Sequence, residues 1–318
     1  MDPIESPTKN ELSPKGPGGF DFIRFTPYFM SSVLFFSILF SVLAPLPLLW
    51  IRASQWPTWK FWIAVLTNLV VVFLVSRDFA TPIFFIFSVI SISLLVPFFL
   101  IRRRESPART VFFTLLTVFG LLVGGFLAYC GVKSLSPIEV YLSFSDQVAQ
   151  QFLSMLKEAG SLSRPPSFEE VQSSVRVDIL PGIVISLSIL IWSNVTFLLW
   201  LNPNQIRDRL GISRGYFGQW RAPEWLIWPT LLAAGYWAIA KEPGSEIAWA
   251  VLQVLLMVYA IQGFGILWYA LNAFKIFGFF RTLVLVSLVF LSPYSLLLMV
   301  SLGLFDLWFD FRRKFGQT

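Results

Sequence analysis

The sequence predicts an all-α, polytopic bundle of about eight transmembrane helices, with one amphipathic helix outside the lipid. Hydrophobic residues make up 56% of the 318 residues, charged residues 13%, and mean hydropathy is +0.71. A water-soluble core cannot hide that much apolar surface. The apolar residues fall in stretches long enough to cross a hydrocarbon layer about 30 Å thick, which takes ~20 helical residues. The stretches are continuously apolar, whereas strands of a membrane barrel would alternate apolar and polar residues, so helices are expected to satisfy the backbone.

Taken in order, the expected spans are Tyr28 to Ile51, Trp59 to Val75, Phe79 to Ile101, Val111 to Val132, Ile179 to Leu201, Trp225 to Ala240, Ile247 to Leu271 and Thr282 to Leu304. The second and sixth are short, and either one is a candidate for a re-entrant segment. Residues 1–27 carry Asp2, Glu5, Glu11 and Asp21 among prolines and glycines, unlike a secretory signal, and are expected to form a mobile tail. The first span ends in Ala44-Pro45-Leu46-Pro47-Leu48-Leu49-Trp50 with no usual cleavage site after it, so it is expected to stay in the mature protein. The resulting division is a tail, a first four-helix half over 28–132, an extramembrane segment over 133–178 and a second four-helix half over 179–318.

Charge leaves orientation open. With eight spans, the 24 lysines and arginines divide 12 to 12 between the two sides. Discounting Lys157 and Arg164, which lie mid-way along the long loop, places Arg102 to Arg109 and Arg207 to Arg221 in the cytoplasm. Arg312-Arg313-Lys314 would then face the opposite compartment.

In the extramembrane segment, Ser136-Pro137 gives a helix start. Tyr141, Phe144, Val148, Phe152 and Met155 follow at three- and four-residue steps. Ser143, Asp146, Gln147, Gln150, Ser154 and Glu158 occupy the other face, so this helix is expected to lie on the membrane or cover the bundle. Ser167 and Glu170 form a capping box for a second helix that leads into the fifth span.

Chemistry is constrained by absences. There is no histidine, the commonest general base and metal ligand, and no nucleotide-cradling Gly-x-x-x-x-Gly-Lys-Ser/Thr loop. Cys130 is the single cysteine, so no disulfide forms within the chain. No cofactor, metal or nucleic-acid partner is expected. The most enzyme-like string is Gly303-Leu304-Phe305-Asp306-Leu307-Trp308-Phe309-Asp310-Phe311-Arg312-Arg313-Lys314, where Asp306 and Asp310 would share a helix face and hold Mg²⁺. The companion motifs of phosphotransferases and prenyltransferases are missing. The alternative is an interfacial helix end in which Asp306 and Asp310 pair with Arg313 or Lys314.

Polar residues inside the spans are few. Asn68 and Asn194 lie near mid-helix, and Gln253 and Gln262 flank the centre of the seventh span; such residues serve as interhelical glue or as ligand contacts. Nine residues at ~100° each set Gln253 and Gln262 on opposite faces. Gly120, Gly124 and Ala128 recur every four residues and offer a close-packing face. In the polar segment before the sixth span, Arg207, Arg209 and Arg214 lead into Phe217-Gly218-Gln219-Trp220-Arg221-Ala222-Pro223-Glu224-Trp225. There Arg221 and Glu224, three apart, are placed to pair.

Three pieces carry a resemblance: Phe-x-x-Trp-Arg-x-Pro-x-Trp at 217–225, Gln262-Gly263, and Gly-Leu-x-Asp-x-Trp-x-Asp-x-Arg at 303–312. Together they resemble the YybS-like family of bacterial membrane proteins, a domain of unknown function, over Ile179 to Lys314. The first half agrees in its span pattern and Pro-Leu-Pro turn. This resemblance implies a multi-pass protein of the bacterial cytoplasmic (inner) membrane. The amino-terminal half is also similar to the substrate-binding membrane subunits of energy-coupling-factor transporters, which borrow an external ATPase. Gln55-Trp56-Pro57-Thr58-Trp59 and Gln219 to Trp225 further suggest parallel repeats.

Two readings remain. One is a transport-type subunit that holds a small molecule between helices, with Asn68, Asn194, Gln253 or Gln262 as contacts and Arg207 to Arg221 as a coupling surface. It predicts a closed pocket near mid-membrane. The other is a non-catalytic scaffold whose basic loops and surface helix recruit proteins or anionic lipid, and it predicts a solid bundle with an exposed apolar patch.

Overall fold

A computed structural model describes residues 22–37, 40–53, 58–77, 80–159, 166–201, 216–240, 244–277, 279–281, 283–284, 287 and 294–315. Among them every regular element is a helix. Five helical stretches have the length and apolarity to cross a membrane: Thr58–Ser76, Thr81–Arg102, Pro107–Lys133, Phe168–Leu199 and Gly244–Ala273.

Eight uninterrupted spans are therefore not what forms. The stretch expected as the first span is broken into α1 (Phe22–Phe35), a 3-10 turn (Ser41–Leu43) and α2 (Leu46–Ala53). Pro45 accounts for the break between the 3-10 turn and α2, since it lacks a backbone donor and its ring clashes with the turn before it, while Pro47 sits in the first turn of α2, where proline is tolerated. A broken helix in lipid must find new partners for its freed carbonyls. One such partner comes from another helix: Asn194 Nδ2 donates to Val42 O at 2.7 Å. Pro45 O accepts from Leu49 N of α2 at 2.9 Å.

The second expected span forms as α3 (Thr58–Ser76). The third is α4 (Ala80–Phe85), a π turn (Ile86–Ile90), α5 (Ser91–Pro97) and a second π turn (Phe98–Arg102) in continuous succession. The fourth is α6 (Pro107–Lys133), started by Pro107 after the Ser106 cap and stopped by Ser134 in the left-handed region at φ 53°. The sixth expected span shrinks to α10 (Ile227–Ile239), 13 residues or about 20 Å, which is too short to cross unaided. The seventh is α11 (Gly244–Ala273). The eighth ends later than expected: α12 (Tyr294–Phe309) runs past Leu304, so Asp306 lies in its last turn. The expected start of that span, 282–293, lies largely outside the described residues.

The extramembrane segment forms α7 (Pro137–Ala159), and the Ser167–Glu170 box opens α8 (Phe168–Leu201). Both box hydrogen bonds are made, Ser167 N to Glu170 Oε2 at 2.9 Å and Glu170 N to Ser167 Oγ at 3.2 Å. At 34 residues α8 is about 51 Å long, so about 14 residues project beyond the hydrocarbon. Glu169, Glu170, Arg176 and Asp178 all fall in that projecting part. α7 packs against it.

The contact uses Ser145, Ala149 and Leu153 of α7, a row at four-residue spacing, against Val171 and Val175. The small residues at 145 and 149 let the helices approach. The larger residues Phe144, Phe152 and Met155, expected on the packed face, are left exposed. Tyr141 Oη donates to Arg176 O at 2.5 Å, while Asp146 accepts from Gln172 at 2.7 Å and Arg176 at 3.2 Å.

Two apolar cores fill the first part of the molecule. One joins Leu48 and Ile51 of α2, Phe61, Val65 and Val72 of α3, and Phe85 and Val89 of the third span. The other joins Leu49, Ile92, Val96 and Leu100 to Val111 and Val118 of α6 and to Ile191, Val195 and Leu198 of α8. α8 thus belongs to the same core as α2, α5 and α6. Elsewhere, α3, α6 and α10 show large apolar side chains to their surroundings, Trp62, Leu66, Phe112, Leu116, Trp228 and Leu232 among them. In a membrane these contact lipid.

The Asp146 carboxyl is held below its ordinary value, chiefly by the Gln172 hydrogen bond and then by Arg176. A depressed carboxylate contributes stability that is complete above its unfolded pKa of about 4 and is lost as pH falls through the folded value. Hydrogen exchange of the α7 amides, corrected for intrinsic rate, is expected to speed up as pH drops below about 4. Asp146→Asn is expected to give the faster exchange at neutral pH and to remove the acid dependence.

Candidate functional site

In the second part of the molecule, α11 and α12 cross backbone to backbone. A Cβ placed on Gly263 would lie 1.8 Å from Met299 O, and one on Gly303 would lie 1.9 Å from Tyr259 O. Only glycine fits at either position, and the helices meet as closely as a small-residue interface allows. This sets Gln262, the neighbour of Gly263, against Asp306, one turn after Gly303. Gln262 Nε2 donates to Asp306 Oδ2 at 3.1 Å, and Gln262 Oε1 accepts from Ala222 N at 2.9 Å.

Asp306 is 2% exposed. Its other partners come from just beyond the helix. Asp310, at φ 44°, turns the chain out of α12 and into α13 (Phe311–Phe315), where Phe311 N donates to Asp306 Oδ1 at 3.0 Å. The turn brings Arg312 back, with Nη1 donating to Asp306 Oδ2 at 2.5 Å. Arg312 also donates through Nε to Gly218 O at 2.6 Å and through Nη2 to Trp220 O at 2.8 Å. Burial pulls the guanidinium pKa below its ordinary value, and the Asp306 carboxylate opposes that shift. Asp310 forms an ion pair with Arg221 at the exposed edge.

The segment from α9 (Tyr216–Gln219) to the 3-10 turn Glu224–Leu226 is thereby tied to the bundle. Gly218 sits against α11, where an added Cβ would lie 3.2 Å from Tyr269 Cβ. Trp220 rests on Trp192 of α8, ring centroids 4.9 Å apart. Several expectations are corrected here. Asp306 and Asp310 do not share a helix face, because α12 ends at Phe309. They pair with Arg312 and Arg221 rather than with Arg313 or Lys314, and Arg221 does not pair with Glu224, which is exposed. Both Asp306 oxygens are occupied by donors from the chain itself. Pro223 is exposed and directly precedes the 3-10 turn.

The remaining polar residues are dispersed. Asn68 Oδ1 accepts from Ser32 N at 2.6 Å, and Nδ2 donates to Tyr28 O at 2.5 Å and Ala64 O at 2.8 Å. It bridges an amide and a carbonyl of α1 that stand in i, i+4 relation. Asn194 gives its second N–H to Leu190 O at 2.7 Å and leaves Oδ1 buried without a partner. Gln253 donates to exposed Asp178 at 2.7 Å, on a different face of α11 from Gln262. Gly120, Gly124 and Ala128 are exposed, and a Cβ on either glycine meets nothing within 4 Å, so among the described residues no helix packs on that stripe. Arg207, Arg209 and Arg214 lie outside the described residues. Among the described residues no cluster of three or more Cys, Asp or Glu is placed to hold a metal ion.

A cleft opens elsewhere, between α2 and the end of the third span. Its volume is about 460 Å³, and it is lined by Arg52, Ala53, Leu94, Leu95, Pro97, Phe98, Ile101 and Arg102. It is half-open and lies at the end of a span, not closed at mid-membrane as a ligand pocket was expected to be, and none of the four polar candidates lines it. The signal was present in the sequence: Leu94, Leu95, Phe98, Ile101 and Arg102 follow the i, i+1, i+4, i+7, i+8 rhythm of one helix face. What hid it was that Arg52, its counterpart, belongs to a different helix.

Residues 26–307 match the family described as a predicted membrane protein family, DUF2232. The chain belongs to this family. The DUF2232 match takes in the cleft, the Gln262-Gly263 pair and Asp306, while Asp310 and Arg312 follow it. No curated protein and no solved structure matches the chain.

For this DUF2232 protein, Gly303→Ala or Gly263→Ala is expected to force α11 and α12 apart and to cost about 3 kcal/mol or more, whereas Gly120→Ala stays within about 0.5 kcal/mol. Thermal unfolding in detergent distinguishes the two. In the same assay Asp306→Asn, which strands a buried guanidinium, is expected to cost about 3–5 kcal/mol, and Arg221→Ala less than about 1 kcal/mol.

Proposed function

We propose that this protein is a small-molecule-binding subunit of a transport-type assembly in the bacterial cytoplasmic membrane, without an ATPase of its own. The supporting observation is the cleft between α2 and α5, a concave site of about 460 Å³ with mostly apolar walls and two convergent arginines. That combination of size and lining is typical of sites for small organic molecules. The resemblance of the first half to the substrate-binding subunits of energy-coupling-factor transporters points the same way. Such a subunit needs no acid-base pair, and the buried carboxylate Asp306 is fully engaged as a structural group. The Trp220 to Glu224 segment, clamped by Arg312, is the surface through which we expect coupling to a partner.

A second reading has its own support. The α7–α8 hairpin projects from the bundle and exposes Phe144, Phe152 and Met155. A scaffold would use such a stripe to recruit another protein.

Native mass spectrometry of the detergent-purified protein separates the two readings. The binding subunit is expected to carry a reproducible one-to-one small-molecule adduct that Leu95→Trp, by filling the cleft, removes. A protein that co-purifies without any adduct, and is lost in Phe144→Asp/Phe152→Asp, would favour the scaffold instead.

A further inference from the structure

Resting on the binding-subunit reading, we propose that the occupant of the α2–α5 cleft is an anionic membrane lipid, its phosphate held between Arg52 and Arg102 and an acyl chain laid along α5. The two guanidinia come from separate elements, the last turn of α2 and the π turn Phe98–Arg102, and both line the same cleft. Among the described residues neither meets a carboxylate: the ion pairs formed there are Arg109–Glu105, Arg176–Asp146, Arg221–Asp310 and Arg312–Asp306. Both are instead steadied by aromatic faces, Arg52 over Phe61 at 5.9 Å and Arg102 over Phe98 at 5.8 Å. Stacking fixes a guanidinium plane yet leaves its N–H fork free for a phosphate.

The walls decide between a lipid and a soluble anion. Leu94 and Leu95 lie seven or eight residues, about 10–12 Å, before Arg102 in the span Thr81–Arg102, so they stand at acyl-chain depth when Arg102, the last residue of that span, stands at headgroup depth, with Phe98 and Ile101 between them. A molecule that meets both must have a negative head at the interface and an apolar body pointing into the membrane. That is the arrangement of a bilayer phospholipid. Arg103, stacked on the same Phe98 ring at 5.7 Å, adds positive charge beside the opening. The π turn contributes as well: it wraps 98–102 more widely than an α-helix, with Arg103 N bonding to Phe98 O at 3.0 Å, five residues back.

The test is native mass spectrometry of the full chain equilibrated in turn with phosphatidylglycerol, phosphatidylcholine, dodecyl phosphate and inorganic phosphate. Wild-type protein is expected to retain one phosphatidylglycerol in preference to phosphatidylcholine by tenfold or more, at about fivefold for each arginine. Arg52→Gln/Arg102→Gln, at two exposed positions, is expected to keep its unfolding midpoint and lose the preference. Inorganic phosphate is expected not to displace the lipid. Equal retention of the two lipids, or a preference that survives in the double variant, overturns the proposal. Dodecyl phosphate that binds more tightly than phosphatidylglycerol overturns the lipid assignment in favour of a soluble amphipathic anion. If phosphatidylcholine occupies the cleft equally and Leu95→Trp expels it, the binding reading stands and the anion inference falls. If neither lipid responds to Leu95→Trp, both fall.

Discussion

The backbone contact between α11 and α12 at Gly263 and Gly303 is the constraint from which the second half of this molecule follows. With no side chain at either position, Met299 O and Tyr259 O come within a distance that any Cβ would forbid. Gln262 and Asp306 are then brought face to face because each lies close to its helix's glycine. A carboxylate at that depth costs several kcal/mol to desolvate unless donors surround it. Here they do. Gln262, Arg312 and the Phe311 amide supply them, and the αL turn at Asp310 makes room for the last two. Arg312 in turn fixes the carbonyls of Gly218 and Trp220. The short α10 is thus held at its start by a buried charge rather than by its own length.

The first half solves a related problem with neutral groups. Pro45 breaks the expected first span, and lipid offers no water to the carbonyls this frees. Asn194 reaches from α8 to Val42 O in the turn before α2, and Asn68 of α3 bridges Tyr28 O and Ser32 N of α1. These carboxamides serve as interhelical ties. Burying carboxamides is cheaper than burying charge, which suits positions nearer the middle of the bundle. The cleft lies where the last turn of α2 meets α5 and the π turn that ends the third span.

Much of this was legible in the residues. Continuous apolar runs imposed helices, because within lipid each backbone donor has to be met inside its own segment. Ser136-Pro137 and the Ser167–Glu170 box marked helix starts that form where expected, since a cap depends on a few adjacent residues. The opposed faces of Gln253 and Gln262 follow from helical pitch alone. Other readings failed for want of distant information. Which group meets Val42 O in the interrupted stretch Tyr28 to Ile51 depends on Asn194, some 150 residues later. Which face of α7 is buried was decided by the shape of α8, and small Ser145 and Ala149 won over larger Phe144 and Phe152 because they permit closer approach.

The sequence by itself determined a helical membrane protein, the ends of several helices and three motif pieces near 220, 262 and 306. It did so because hydropathy, capping and turn chemistry act over a few residues. Only the tertiary structure decided that those pieces form one buried network, that Asp306 faces Arg312 rather than a metal, and that Arg52 and Arg102 share a cleft. Each of these depends on how separate helices pack. A charge or a carboxamide takes its partner from whatever that packing brings within about 3 Å, and local sequence carries no record of it.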